Sequence, residues 1–387
     1  MQDLRKIAEQ KLQENQQFRA EMLSLIASGE ALGFIGAGPS AALDYPSWPK
    51  LIDILSVEAR GIGTLTVDDN AKADALLHAE AIQHFFKDHG KLSQYKSILG
   101  REFAPKNGDG CTETHRRLVA LPFRGFVTTN YEPCIERALI ANAVAKGQMP
   151  SVEVCVIKAS DTDRHMVSRF LRSIADGQGP HSRKIAHLHG HYSDVDNIIL
   201  SASDYTHAYG FEFKNGEIIK SPQKATLHCQ LSWALFACRR MVFFGCSMDD
   251  PYVRALLDAV STDLWEFGQP IHFVVLPLDS KKLESIDNEM DTFRRYGLQV
   301  VLFDNWNGDF QELDLLLLEA AKGSLTGKST GEFIGASADE YSSTNKALPV
   351  DARTELAQPA PRVAGVDLEW LETVNQTTAS SLKKHED

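Results

Sequence analysis

The chain has only six cysteines in 387 residues, and no two of them are spaced as C-x-x-C. A zinc ribbon needs thiolate pairs close enough to converge on one tetrahedral ion, so none is expected. Cys111, Cys134, Cys155, Cys229, Cys238 and Cys246 read as scattered thiols of a reducing compartment. Long apolar runs are missing too, so no segment is expected to cross a membrane. The opening residues, MQDLRKIAEQKLQENQQ, lack the apolar core of a secretory signal. A cytoplasmic location is the expectation. Positive charge is in short supply: 40 Lys and Arg against 52 Asp and Glu leave a formal net charge of -12. That balance argues against a surface that coats nucleic acid, and no direct nucleic-acid binding is expected.

What is present is a core. Apolar residues make up 43% of the chain, enough to bury one large domain or two ordinary ones. Residues 1–29 are helical in pattern, a helix that packs on its own domain or serves an oligomer contact. Short apolar runs that read as strands follow at 32–35, 125–129, 152–157, 184–190, 197–201, 241–245, 272–277 and 298–303. Helical stretches alternate with them. One begins at Trp48 with Pro49 in its first turn. A helical insertion occupies about 60–118. Continuously apolar strands alternating with helices predict an α/β fold: a Rossmann-like, mainly parallel sheet with helices on both faces. The domain spans 30–322. Residues 323–387 turn to Ser, Thr, Gly, Ala and Pro and read as a flexible tail. Within it, 366–374 (VDLEWLETV) has one apolar helical face, either docking back on the domain or meeting a partner.

Four motifs carry candidate chemistry. Gly36, Ala37, Gly38, Pro39 and Ser40 follow the first strand. Glycines there let backbone approach a phosphate, although an isolated G-x-G is equally an ordinary tight turn. Thr128, Thr129, Asn130, Tyr131 and Glu132 stand at the carboxyl end of a buried strand, where ligands of open α/β sheets bind. The same residues suit a helix cap before Pro133. His187, His189 and His191 surround Leu188 and Gly190. His189 is a candidate general base, with Gly190 giving a substrate close access. Strand alternation also puts the three imidazoles on one face, with Asp194 following, which suits a metal or a structural cluster. Last come Gly245, Cys246, Ser247, Met248, Asp249 and Asp250, a glycine turn with acidic residues before a helix.

Taken jointly and in this order, the motifs resemble those of the sirtuin-like superfamily, in particular the bacterial branch found in anti-phage defence. Its signatures G-A-G-x-S, T-x-N-x-D, H-G and G-x-S stand here as GAGPS at 36–40, TTNYE at 128–132, HG at 189–190 and GCS at 245–247. The resemblance covers roughly residues 30–320. It implies an NAD hydrolase that releases nicotinamide and ADP-ribose, with NAD as substrate and no metal. Gly36, Ala37, Gly38 and Ser40 would cradle the pyrophosphate. Thr129, Asn130 and Glu132 would lie beside the nicotinamide ribose, and Gly245 and Ser247 on the adenosine side. Asn130 and His189 would be the catalytic pair, orienting the nucleophile and taking its proton. The branch also implies a homo-oligomer or a second component such as a HerA-type ATPase. This chain departs from the family at Ser47 and Trp48, which replace an acidic–aromatic pair, and at Glu132, which replaces Asp. The absent zinc ribbon weighs against protein deacylation. A silent NAD-binding scaffold and a metal-dependent hydrolase stay as rival readings.

Overall fold

Among the described residues there are nine strands: β1 Leu32–Ile35, β2 Phe126–Thr128, β3 Glu153–Val156, β4 Lys184–His187, β5 Phe211–Lys214, β6 Glu217–Lys220, β7 Met241–Phe244, β8 His272–Leu278 and β9 Leu298–Asp304. The computed structural model describes residues 2–334 except 107, 109, 151, 159–163, 177–183, 215–216, 221–225 and 266–269. Seven strands form one parallel sheet in the order β3-β4-β2-β1-β7-β8-β9. The chain runs from β1 to β2, on to β3 at the edge and back to β4 between β2 and β3, then crosses to β7 and builds outward on the other side. β1 and β7 thus flank the topological switch point, where open α/β sheets leave a crevice at their carboxyl ends.

Successive side chains of a strand point to opposite faces, so each buried strand feeds two cores. One face presents Leu32, Phe34, Val127, Ala186, Phe243 and Val274 to the helices Arg164–Asp176, Leu227–Cys238, Pro251–Trp265 and Ile286–Arg295. The other presents Ile35, Phe126, Ile185, Phe244, Val275 and Val301 to Gln16–Ser28, Glu113–Ala120, Cys134–Ala145 and Gln311–Ile334. The expected α/β sheet with helices on both faces is what forms. A third core lies in the β1–β2 connection, where Leu51, Leu55, Ala79, Ile82, Phe86, Tyr95 and Leu99 pack together. This helical module begins with Trp48–Ile62, ahead of the expected start near 60, because Leu51, Ile52, Leu55 and Ala59 form one buried stripe. Glu113–Ala120 sends Leu118 and Val119 to the sheet instead. No helix among the described residues is long and apolar enough to cross a membrane.

Some elements differ from the sequence reading. The N-terminal helix is two, Gln2–Glu14 and Gln16–Ser28, broken at Asn15. Residues 197–201 are not a strand: the amide of Ile199 bonds His189 O and its carbonyl accepts from the Tyr131 hydroxyl. Those bonds use the groups a ladder would need. An antiparallel pair, β5 and β6, was not foreseen, although Asn215-Gly216 between the two runs is a hairpin signal. The last helix continues to Ile334, past the expected end at Lys322. The chain divides into units at residues 1–329 and 330–387, and the stretch 366–374 lies outside the described residues.

β9 is an edge strand, and edges leave backbone groups unpaired. Here Asn15, only 3% exposed, fills the gap. Its Nδ2 donates to Val300 O at 3.0 Å and its Oδ1 accepts from Leu302 N at 2.8 Å. Arg5 grips Asp304 at the end of the same strand with two bonds of 2.9 and 2.6 Å. Asn15→Ala should leave both buried backbone groups unpaired and cost about 2–4 kcal/mol. Urea denaturation checks this; a loss below the scatter of the measurement would show that water replaces the amide.

Candidate active site

The sheet register brings the four motifs to one edge. Ile35 pairs with Phe244, and Thr128 with His187. Thr128 Oγ1 also donates to Ile35 O at 2.7 Å, tying the ends of β1 and β2. Residues 36–40, 129–132, 188–191 and 245–247 therefore leave the sheet side by side, on the carboxyl ends of β1, β2, β4 and β7.

The glycine loop is built for backbone contact. The amide of Gly36 donates to Phe244 O at 2.8 Å and that of Gly38 to Gly245 O at 2.9 Å. A Cβ on Gly36 would lie 2.5 Å from Gly245 O, and one on Gly38 2.8 Å from Gly245 Cα. Gly245 itself has φ +65, and a Cβ there would meet Pro39 Cδ at 2.3 Å. Only glycine fits such contacts. This corrects one expectation: the amides of Gly36 and Gly38 serve the β7 turn and are not free for a phosphate. The Ala37 amide has no partner among the described residues, and Ala37 and Gly38 are exposed. A 3-10 turn, Gly38–Leu43, follows rather than a long helix.

Ser40 is also displaced from its expected place. It is 2% exposed, and its Oγ donates to Glu132 Oε1 at 2.5 Å, with His115 Nε2 at 3.3 Å. Asn130 Nδ2 donates to the same Glu132 oxygen at 2.8 Å. Its amide is fixed by Thr128 Oγ1 at 3.0 Å. Asn130 Oδ1 is left without a partner among the described residues, on a half-buried side chain. Burial pushes the Glu132 carboxyl up to about 7, against the bonds from Ser40 and Asn130 that favour its charged form. Burial likewise pushes His115 down to about 4.

His189 is 2% exposed, and both its ring nitrogens are held. Tyr205 donates its hydroxyl to Asp250 Oδ2 at 2.9 Å. Its oxygen must then accept from His189 Nδ1, 3.2 Å away. That leaves the Nε2 lone pair to accept from the Tyr209 hydroxyl at 2.9 Å. The result is a chain from Tyr209 through His189 and Tyr205 to Asp250. Burial lowers the His189 pKa, with Asp250 opposing. Among the described residues no hydrogen bond joins His189 to Asn130. Gly190 has φ +101, and its missing Cβ would strike Asn197 O and Ile198 Cα at 2.7 Å. So Gly190 makes room for its own chain rather than for a substrate.

The expected one-face array of His187, His189 and His191 does not form, because β4 ends at His187 and Gly190 turns the chain. His187 and His191 meet Glu136 instead. His187 Nδ1 donates to Asn130 O, and Nε2 lies 2.8 Å from Glu136 Oε1. Burial would lower His187, but the Glu136 charge and hydrogen bond raise it overall. Burial would raise Glu136, but His187 holds it down at about 2. Asp194 pairs with Lys158 at 2.8 Å, away from the cluster.

The expected residues thus fall into two sets. Ala37, Gly38, Thr129, Asn130, Gly245 and Ser247 are exposed or half-buried along the rim, while Gly36, Ser40, Glu132 and His189 lie beneath. Among the described residues Ser247 keeps an unpartnered hydroxyl. Sequence reasoning passed over Glu136, Tyr205, Tyr209 and His115. Tyr205 and Tyr209 had a signal: a capping box at Ser201 and Asp204 opens their helix, and spacing of four puts them on one face.

With this geometry in view, residues 124–301 match the model of the SIR2-like domain family. The matched span holds three of the four motifs, and residues 36–40 lie before it. The chain is also similar to proteins named NAD(+) hydrolase ThsA. Identity to that of Bacillus cereus (strain MSX-D12) is 22% over 319 residues, 80% of this chain and 56% of the relative. For that of Acinetobacter baumannii (strain 532279) it is 23% over 321 residues, again 80% and 56%. The Enterococcus faecium protein matches at 23% over 253 residues, 65% and 44%. The chain spans about half the length of these relatives.

Glu132 gives a pH signature. Its folded pKa, about 7, lies above the ordinary 4.5. The folded state therefore holds the proton more tightly. Its contribution to stability is full below 4.5 and is lost as pH rises through 7. Wild type should lose on the order of 1–3 kcal/mol more than Glu132→Gln between pH 5 and 8. Parallel pH profiles of the two in urea would show that Glu132 is ionised throughout.

Proposed function

We propose that the chain hydrolyses NAD to nicotinamide and ADP-ribose, and that it acts in anti-phage defence by depleting NAD. One observation carries this reading. Four strand ends converge on a rim that offers, among the described residues, an unpartnered amide at Ala37, an unpartnered hydroxyl at Ser247 and the unpartnered Oδ1 of Asn130. Similarity to proteins named NAD(+) hydrolase supports it. The unpartnered donors suit a dinucleotide's phosphates and sugars. Asn130 Oδ1 suits a ribose hydroxyl or a water.

The chemistry asked of the residues is modest. The bond from ribose to nicotinamide breaks with a good leaving group and an oxocarbenium-like sugar. Asn130, fixed by Glu132 and Thr128, orients the nucleophile beside the sugar. His189 takes the proton as general base. For that, the Tyr209 hydroxyl has to yield Nε2 to the reacting group. We place the activity in the cytoplasm, in a homo-oligomer or beside a partner such as a HerA-type ATPase.

The test is release of nicotinamide from NAD by the purified chain, alone and with a HerA-type ATPase. Asn130→Ala and His189→Gln should each lose roughly 10²–10⁴-fold in turnover with the circular dichroism unchanged. Near-normal turnover in either removes that residue from the mechanism. Tyr209→Phe, which frees Nε2, should cleave NAD at least as fast as wild type. A loss equal to that of His189→Gln would make Tyr209 an obligatory proton relay. The locked ring of His189 favours a second reading, a scaffold that binds NAD without turnover. NAD binding with no nicotinamide released in any condition would select it.

A further inference from the structure

Behind the rim sits a cluster that the proposed reaction does not use. Glu136 lies in the first turn of helix Cys134–Ala145, His187 ends β4, and His191 follows the Gly190 turn. One ligand atom from each lies within 4.8 Å of the others, and all three residues are buried. Glu136 Oε1 is 2.8 Å from His187 Nε2 and 3.5 Å from His191 Nε2.

Hydrogen bonding accounts for only part of this cluster. Glu136 Oε2 and His191 Nε2 have no hydrogen-bond partner among the described residues, although their side chains are only 9% and 10% exposed. Buried polar atoms are nearly always paired, and leaving a carboxylate oxygen beside an imidazole lone pair, two acceptors, is costly. A cation between them would satisfy both.

The outer ring nitrogens are already held as they are in metal sites, where a ligating imidazole gives its other N–H to a carbonyl, carboxylate or water. His187 Nδ1 donates to the backbone oxygen of Asn130 at 2.8 Å. His191 Nδ1 lies 2.7 Å from Ser193 Oγ, which would accept its proton in a metal-ligating tautomer; the Ser193 amide also donates to Nδ1, at 3.4 Å, a bond that tautomer would give up. With a cation between them and Glu136, those tautomers would present both Nε2 lone pairs to it.

We propose that Glu136, His187 and His191 form a zinc site that ties the carboxyl ends of β2 and β4 together behind Asn130. Two imidazoles and a carboxylate are a borderline N/O donor set, which suits Zn²⁺ and leaves a fourth position for water. Ligand atoms about 2.1 Å from a tetrahedral zinc lie roughly 3.4 Å apart. The 3.5 Å separation from His191 already meets this, and the His187 contact opens by about half an ångström. The ion holds His187, and His187 holds the Asn130 carbonyl. Its role is to position the loop, not to touch substrate. The site differs from the array the sequence suggested, because His189 is engaged by tyrosines and Asp194 by Lys158. It does not depend on the hydrolase reading.

The test is calorimetric titration of the chelator-stripped full chain with Zn²⁺ alone. One equivalent should bind, and the melting temperature should rise with it. His191→Ala and Glu136→Gln should each weaken binding more than tenfold. His84→Ala, a surface histidine four residues from Glu80, should bind like wild type. Ser193→Ala should weaken binding about tenfold. Should the cluster variants fail to fold, the Co²⁺ spectrum of wild type decides. Tetrahedral bands without thiolate charge transfer support the site. Thiolate bands, unchanged affinity in folded His191→Ala and Glu136→Gln, or no zinc uptake by wild type overturns it.

Discussion

The approach of two turns at the centre of the sheet sets the geometry of everything on its carboxyl edge. Residues 36 and 38 lie against residue 245 so closely that a single Cβ at any of the three would collide with backbone or proline. Two backbone bonds close the contact, from Gly36 to Phe244 O and from Gly38 to Gly245 O. The ends of β1 and β7 are thereby locked together across the switch point. The consequence reaches outward in both directions. Ala37 and Ser247 are left facing solvent, while Ser40 is carried inward to the Glu132 carboxylate. The glycines make the rim, but its free hydrogen-bonding groups belong to their neighbours.

Beneath the rim, two glutamates four residues apart are pushed in opposite directions. Glu132 receives hydrogen bonds from a neutral serine and a neutral amide, too little to offset its burial. Burial would raise Glu136 too, but its attraction to His187 outweighs that and holds it down. Asn130 sits between them. Its side chain is anchored to Glu132 and its carbonyl to His187, the partner of Glu136. With its amide held by Thr128 as well, Oδ1 is the acceptor of Asn130 left without a partner among the described residues.

Much of this was legible in the sequence, for reasons of period and chain order. Buried parallel strands are continuous apolar runs, and seven of the eight expected runs became strands. Their glycine or polar ends marked the four loops of the rim. What escaped was set by tertiary contact. Residues 197–201 look like a strand, yet the backbone of Ile199 is claimed by His189 and Tyr131. The histidine run alternates only on paper, since the φ of Gly190 turns His189 and His191 apart. Glu136 reads as an ordinary helix-surface acid, and only the fold shows that helix Cys134–Ala145 presses it against β4. The tyrosines around His189 come from a helix announced by its capping box but far from any motif.

The second link across β1 runs through Asp250. Its Oδ1 accepts from the amides of Tyr252 and Val253 at 2.9 and 3.0 Å, capping helix Pro251–Trp265. Its Oδ2 accepts from Tyr205, whose oxygen orients His189. One carboxylate thus fixes a helix start on the β7 side and an imidazole tautomer on the β4 side. Movement of residues 245–250 when a ligand settles on the rim would pull on Tyr205. Because Tyr205, His189 and Tyr209 are buried and their hydrogen bonds are matched in direction, such a pull is not readily absorbed by water beyond the half-buried Asp250. It has to pass to the hydroxyl of Tyr209, the one contact that keeps the Nε2 lone pair of His189 from a substrate.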